Sequence, residues 1–355
     1  MTRVPRSVPF EENVSLASQT TLGVGGAARY LAHCQGGLAF GTVLRWARRE
    51  DLPIFMLGGG SNLLVSDDGF DGVVVRIKDD GITFENDGDH VVVRAGAGVE
   101  WDRLVAETVA AGLGGIECLS GIPGCVGAAP IQNIGAYGQE VAETIDSVEV
   151  HGIEFGQHVA TLTAAECGFG YRWSHFKGPW FGCYAVLGVR FRLRRSAQGT
   201  IRYSQLAKHL GIQEEEKAPL ADLRRAVLEI RRSKSMVWNP KDPNHRSAGS
   251  FFINPVISKA KSEEVRKRLR IVHLPTFPVD ETYVKLSAGW LIERSGFRKG
   301  DRRGNAGIST NHALAIINTG AASAAEIQAL AEEIRHRVRA TSGILLEPEP
   351  VYLGF

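Results

Sequence analysis

The chain has 355 residues, with 41 Lys plus Arg against 39 Asp plus Glu, a net charge of +2. The length exceeds one typical core and predicts two or three domains. The near-neutral balance excludes a global field that would draw the chain to nucleic acid or a membrane, so any anion site must be local.

The opening MTRVPRSVPFEENVSL has no long apolar run and does not read as a signal peptide. Residues 37 to 50 read as a helix, followed by the apolar strand 53 to 57 and a glycine turn. The β-branched runs 72 to 77 and 90 to 94, bounded by Asp and Gly, read as strands. Trp101, Leu104, Val105, Thr108 and Val109 follow helical spacing, with Gly112 as the stop. Strand candidates follow at 147 to 150 and 185 to 193. Leu220, Leu223, Val227 and Ile230 form one face of an amphipathic helix, and the polar, proline-bearing stretch 234 to 244 is the main candidate linker. Ser323 and Glu326 form a capping box for a helix striped by Ile327, Leu330, Ile334 and Val338. A strand-like piece interrupted by two prolines spans 343 to 353. The class predicted is α+β.

Cys34, Cys118, Cys125, Cys167 and Cys183 are odd in number and irregularly spaced. They read as reduced, structural thiols rather than a disulfide or zinc framework. No stretch reaches the roughly 18 apolar residues of a membrane span.

Two glycine-rich stretches carry the chemistry. In Leu57-Gly-Gly-Gly-Ser-Asn-Leu-Leu64 the glycines let the backbone approach a phosphate, and Ser61 and Asn62 add donors. It is neither a Walker loop nor a dinucleotide fingerprint, and alone it fits a tight turn equally well. The second, Ser120-Gly-Ile-Pro-Gly-Cys-Val-Gly-Ala-Ala-Pro130, runs into Ile131-Gln-Asn-Ile-Gly-Ala-Tyr-Gly138. Its small residues let a long flat ligand lie against the backbone, or pack a helix. Two cradles together suit a flavin dinucleotide better than a mononucleotide.

These segments resemble the FAD-binding region of vanillyl-alcohol-oxidase-like flavoproteins. More narrowly they resemble the UDP-N-acetylenolpyruvoylglucosamine reductase family. The resemblance extends to Thr21-Leu-Gly-Val-Gly-Gly26, Gly170-Tyr-Arg-Trp-Ser-His-Phe-Lys177, Ala248-Gly-Ser-Phe-Phe-Ile-Asn-Pro255, Lys285-Leu-Ser-Ala-Gly-Trp-Leu-Ile292 and Leu346-Glu-Pro-Glu349. It covers nearly the whole chain in the family's order.

The resemblance implies a two-part FAD-binding region, 1–79 and 80–235 joined by 341–355, and a C-terminal UDP-sugar domain, 236–340. It implies non-covalent FAD held by Gly58, Gly59, Gly60, Ser61, Asn62, Leu63, Ser120, Ile122, Pro123, Gly124, Gly127 and Gly135. NADPH is the implied reductant, and no metal is required. The implied reaction converts UDP-N-acetylglucosamine enolpyruvate to UDP-N-acetylmuramate in the cytoplasm. That step serves peptidoglycan synthesis, cell-wall biogenesis, cell shape, the cell cycle and cell division. Nucleic acid and membrane insertion have no part in it.

Reduction of an enol ether conjugated to a carboxylate needs hydride at one carbon, a proton at the other and cations on the carboxylate. Ser250 matches the family's proton donor. Glu347 matches its acidic partner, expected to be held neutral by burial and like charge, with Glu349 the nearest alternative. Arg172 matches the arginine on the substrate carboxylate. Lys234 falls on a lysine that contacts substrate or NADPH phosphate. Ser235-Met-Val-Trp-Asn follows it where the family commonly has a shorter loop with an early proline. Tyr203 matches a lid tyrosine over the UDP pyrophosphate, and Asn254 and His312 are expected near the sugar-nucleotide. Two rival readings are a non-catalytic UDP-sugar or flavin-binding protein and an oxygen-using flavin oxidase.

Overall fold

The computed structural model describes residues 4–153 and 159–355. The fold is α+β, and its contacts group into two compact units. The first comprises Met1–Val14, Ala28–Gly60 and Asp71–Trp238; the second comprises Ser15–Ala27, Ser61–Phe70 and Asn239–Phe355.

The first unit is built on two sheets. In one, the strands run in the order Phe10–Ser15, Ala27–Cys34, Phe70–Ile77, Ile54–Met56, the last pair parallel. Helix α1, Gly36–Arg49, turns Phe40, Val43, Leu44, Trp46 and Ala47 into the same core as Val73 and Val75. The second sheet runs Val159–Thr163, Ile145–Gly152, Tyr184–Arg195, His90–Gly96, Ile82–Asp87, all antiparallel. Helix α2, Trp101–Ala110, covers it with Trp101, Leu104, Val105 and Thr108 buried. It stops where the helical spacing stops, ahead of Gly112 at φ +67°. Helices α3, Ser204–Leu210, and α4, Leu220–Ser233, form a small satellite core through Leu206, Leu223, Val227 and Ile230. The predicted strands and helices of this unit are therefore present, with ends displaced by a few residues.

The stretch 234–244 contains no helix or strand, and the division at Trp238 and Asn239 falls within it.

The second unit contains helices α5, Lys259–Leu269, α6, Ala288–Arg294, and α7, Ala324–Ser342. The α7 stripe Ile327, Leu330, Ile334 and Val338 is buried against Phe251, Phe252, Leu286 and Leu346. Both halves of the Ser323–Glu326 capping box form. The C-terminal piece departs from expectation, because only Val351–Leu353 is a strand, parallel to Leu63–Val65. Pro348 and Pro350 lack the N–H that a continuous ladder requires. The preceding residues instead make a single bridge, Phe252 to Pro348.

Candidate active site

The two glycine-rich stretches meet within the first unit. A Cβ placed on Gly59 would stand 2.7 Å from Gly124 Cα, and one on Gly58 3.1 Å from Cys125 Sγ. At Gly59 bare backbone therefore faces bare backbone, while Gly58 packs on the side chains of Cys125 and Ala128. Gly60 at φ +67° and Gly124 at φ +125° occupy conformations that side chains disfavour. The second stretch is laced to the start of α2: Trp101 N–H donates to Gly124 O (3.1 Å) and Val126 N–H to Val99 O (2.9 Å). This is the kind of surface a phosphate or flat ring needs, and it fits a dinucleotide. Burial pushes the Cys125 thiol up, away from the reactive thiolate.

Several of the predicted cofactor residues are partly engaged in holding the cradle itself. Gly127 N–H donates to Ala97 O (3.0 Å), and Ser120 Oγ donates to Glu117 O (2.6 Å). Ile122 packs against the sheet core, beside Pro123. In the second unit, Ser61 is half-buried, Asn62 Nδ2 donates to Glu349 O (3.2 Å), and Leu63 pairs with Val351 in the strand.

Arg172 lies at φ +52°, and its guanidinium donates to the carbonyls of Asn133 (3.3 Å) and Gly135 (2.5 Å). It also stands over the Tyr171 ring at 5.4 Å. Gly135 is glycine for a local reason: a Cβ there would be 2.9 Å from the backbone Gln139 O, as well as 2.9 Å from Arg172 Nη1. Lys234 follows α4 as its C-cap; Nζ donates to Gln205 Oε1 (2.6 Å) and stands 5.9 Å from the Tyr137 ring. Tyr203, the N-cap of α3, meets Tyr137 edge-on at 5.4 Å. Lys234, Tyr137 and Tyr203 are thus one cluster. Burial raises the Tyr137 hydroxyl above its ordinary value.

The second unit sets the segments that carry Ser250 and Glu347 side by side, with Glu347 opposite Ile253 and Glu349 opposite Phe251. Ile253 N–H donates to Glu347 O (3.0 Å), and Glu349 N–H donates to Phe251 O (2.9 Å). Phe251 and Phe252 anchor this pairing in the core at 0% and 1% exposure. The Ser250 hydroxyl is half-buried. The expected burial of Glu347 is not met: the residue is exposed, because its neighbours Leu346 and Pro350 take the inward positions of this short segment. Asn254 caps α6 through Oδ1, which accepts from Ala288 N–H (2.9 Å). His312 Nδ1 accepts from Leu314 N–H (3.2 Å), fixing the tautomer that carries its proton on Nε2.

Three contributors were not legible beforehand. Thr21 Oγ1 donates to Ser247 O (2.6 Å), tying the Thr21–Gly26 motif to the loop before Ser250. Asn318, 2% exposed, donates to Leu22 O and Gly23 O. Asp67 caps α7 through Ala324 N–H and Ala325 N–H. The capping geometry joins residues more than 250 positions apart, which no local pattern reports.

The class follows from the domain matches that this geometry accompanies. Residues 39–152 match the FAD binding domain, and residues 241–353 match the C-terminal domain of UDP-N-acetylenolpyruvoylglucosamine reductase. The chain is an FAD-dependent oxidoreductase. The reductase of that name from Thermobifida fusca is 47% identical over 353 residues, covering 97% of this chain and 98% of the relative. The one from Nocardia farcinica is 48% identical, covering 97% and 89%. The crystal structure of the Thermus caldophilus reductase superposes with a TM-score of 0.64 at 29% identity, covering 98% of each chain. This chain belongs to the UDP-N-acetylenolpyruvoylglucosamine reductase family.

Proposed function

We propose that this chain reduces UDP-N-acetylglucosamine enolpyruvate to UDP-N-acetylmuramate with NADPH, as a cytoplasmic step of peptidoglycan precursor synthesis that serves cell shape, the cell cycle and division. Among the described residues no helix is long and apolar enough to cross a membrane. FAD, held by the glycine-rich stretches, would supply the hydride for the terminal carbon of the double bond, with NADPH as its source.

The residues of the chain supply the rest. Residues 1–79 and 80–235, with 341–355, hold FAD, and 236–340 take the UDP-sugar. Gly58, Gly59, Gly60, Ser61, Asn62, Leu63, Ser120, Ile122, Pro123, Gly124, Gly127 and Gly135 line the cofactor. Arg172 binds the substrate carboxylate and gains as charge grows there. Its anchorage on the Asn133 and Gly135 carbonyls fixes the fork before substrate arrives. Ser250 gives a proton to the enolate carbon. Glu347 stands on the carboxylate side as the acidic partner of Ser250. Tyr203 covers the pyrophosphate, Lys234 contacts phosphate, and Asn254 and His312 face the sugar-nucleotide.

The observation that supports this reading is the backbone pairing of Phe251 with Glu349 and of Ile253 with Glu347, which runs the segment of the proposed donor beside that of its acidic partner. Ser250→Ala tests it. FAD should remain bound and reducible by NADPH, while reoxidation by the enolpyruvyl sugar in stopped flow falls by roughly a hundred- to ten-thousandfold. Reoxidation at the parent rate would place the proton source elsewhere.

A further inference from the structure

Asn133, in the segment Gln132-Asn-Ile-Gly-Ala-Tyr-Gly138, has no role in the reaction described above. It is 1% exposed and holds φ +48°, a left-handed conformation that Asn tolerates better than most residues. Three bonds fix its side chain. Nδ2 donates to Glu140 Oε2 at 2.8 Å and to Gly170 O at 2.9 Å, and Oδ1 accepts from Ala142 N–H at 3.0 Å. The amide therefore joins its own loop, through Glu140 and Ala142, to a segment 37 residues further along the chain.

In that second segment the main chain closes on itself. Gly170 N–H donates to Trp173 O (3.0 Å), and Trp173 N–H donates back to Gly170 O (3.1 Å). Arg172 sits inside this four-residue turn at φ +52°. An arginine has no short polar side chain to ease the left-handed region, so such a turn persists only where its surroundings hold it. Apolar packing does little of that holding, since Trp173 is 45% exposed and Tyr171 and Arg172 are half-buried. Polar ties do it instead. Ser174 Oγ, just past the turn, donates to Ile131 O (2.5 Å). Asn133 Nδ2 takes the same Gly170 oxygen that closes the turn, and Arg172 in return donates to Asn133 O (3.3 Å) and Gly135 O (2.5 Å). Asn133 thus meets the turn twice, with its amide on the first carbonyl and its own carbonyl under the guanidinium.

We propose that Asn133 is a positioning residue for the reduction: through Gly170 O its amide holds the turn of Arg172, so that the guanidinium is aimed before substrate binds. The inference rests on the reading of Arg172 as the partner of the substrate carboxylate. Arg172→Ala tests that reading by itself, because flavin reoxidation by the enolpyruvyl sugar at the parent rate would overturn both. Slow reoxidation in Arg172→Ala leaves the Asn133 variants to decide the positioning role alone.

The test reverses one of the two Nδ2 bonds and leaves the other broken. Asn133→Asp loses both donations and sets a second carboxylate against Glu140. Adding Glu140→Gln restores the net charge and lets the Gln amide donate back to the new carboxylate, while its Oε1 can keep the Glu143 N–H of the capping box. Gly170 O still lacks its donor. The double variant should regain the melting point lost by Asn133→Asp and should be reduced by NADPH at the parent rate. Its stopped-flow reoxidation by the enolpyruvyl sugar should stay about ten- to a hundredfold slow, the effect of a misaimed group. Recovery of reoxidation together with the melting point would show that Asn133 serves only its own loop and would overturn the proposal. A cycle with Arg172 reads the coupling independently of stability. In Arg172→Ala the same double change should slow reoxidation by less than about twofold, because the group being aimed is gone. An undiminished loss in that background would overturn the proposal whatever the melting point, since the effect would then bypass the arginine.

Discussion

Gly59→Ala is the sharpest test of the cradle. The new methyl carbon would stand 2.7 Å from Gly124 Cα, 3.2 Å from Gly124 C and 3.5 Å from Gly124 N. Carbon atoms prefer about 3.5–4.0 Å, so the two backbones must part by roughly 1 Å. No side chain can rotate aside, because every atom met belongs to the main chain. Overpacking of this kind costs about 1–3 kcal/mol. The displaced amides also lose their aim, and each charge-assisted hydrogen bond to a phosphate is worth about 1.5–3 kcal/mol. FAD should therefore bind at least tenfold more weakly in a fluorescence titration of apoprotein. Gly112→Ala is the matched control. Its φ is positive, +67°, as that of Gly59 is not, but a Cβ there meets nothing within 4 Å. It should lower the melting point slightly and leave FAD affinity unchanged. Gly59→Ala binding FAD within twofold of the parent would refute the reasoning that close approach of the two stretches builds the site.

Arg172→Lys keeps a charge and loses the fork, so the oxidative half-reaction should slow about a hundredfold while flavin reduction by NADPH is spared; equal damage to both halves in stopped flow would argue against a role in substrate binding. Asp67→Ala removes the acceptor for two α7 amides, at 2.8 and 3.0 Å. Unfolding stability should fall by about 0.5 kcal/mol in urea, at the low end for a lost cap because Ser323 and Glu326 still cap the same helix. An unmoved midpoint would show that Asp67 adds nothing to that cap. Burial pushes the Asp102 carboxyl up, but Arg224 and the Gly121 amide outweigh it and hold it below its ordinary value of 3.8. Its contribution to stability is therefore present above that value and lost as pH falls through the lowered one. Asp102→Asn should flatten the acid limb of the stability curve below about pH 4, and a limb of unchanged slope would contradict the assignment.

Much of this protein is written locally. Helix α1 and helix α7 follow from apolar spacing, and the Ser323 capping box forms where the sequence places it. The α2 stop at Gly112 and the β-branched strands at 72 to 77 and 90 to 94 follow equally from neighbouring residues. Such features depend on contacts three or four positions apart, or on alternation, and so they survive without knowledge of the partner. The glycine-rich stretches were legible as backbone that must come close to something. That they come close to each other, Gly59 against Gly124, was not.

Tertiary structure decided the rest. The C-terminal piece looks like a long strand, yet only Val351–Leu353 pairs, because two prolines withhold donors and the partner Leu63–Val65 is itself three residues long. Glu347 was expected to be buried and is exposed, since burial depends on what folds over a residue and not on its own chemistry. Arg231 is one of several arginines on a basic helix in the sequence. Only the fold shows that Arg224 takes both oxygens of Asp102 while the Arg231 Nε is enclosed without an acceptor. Local pattern determines which elements form. The pairing of charges separated by more than 100 residues, as Asp102 and Arg224 are, is settled only when the chain closes on itself.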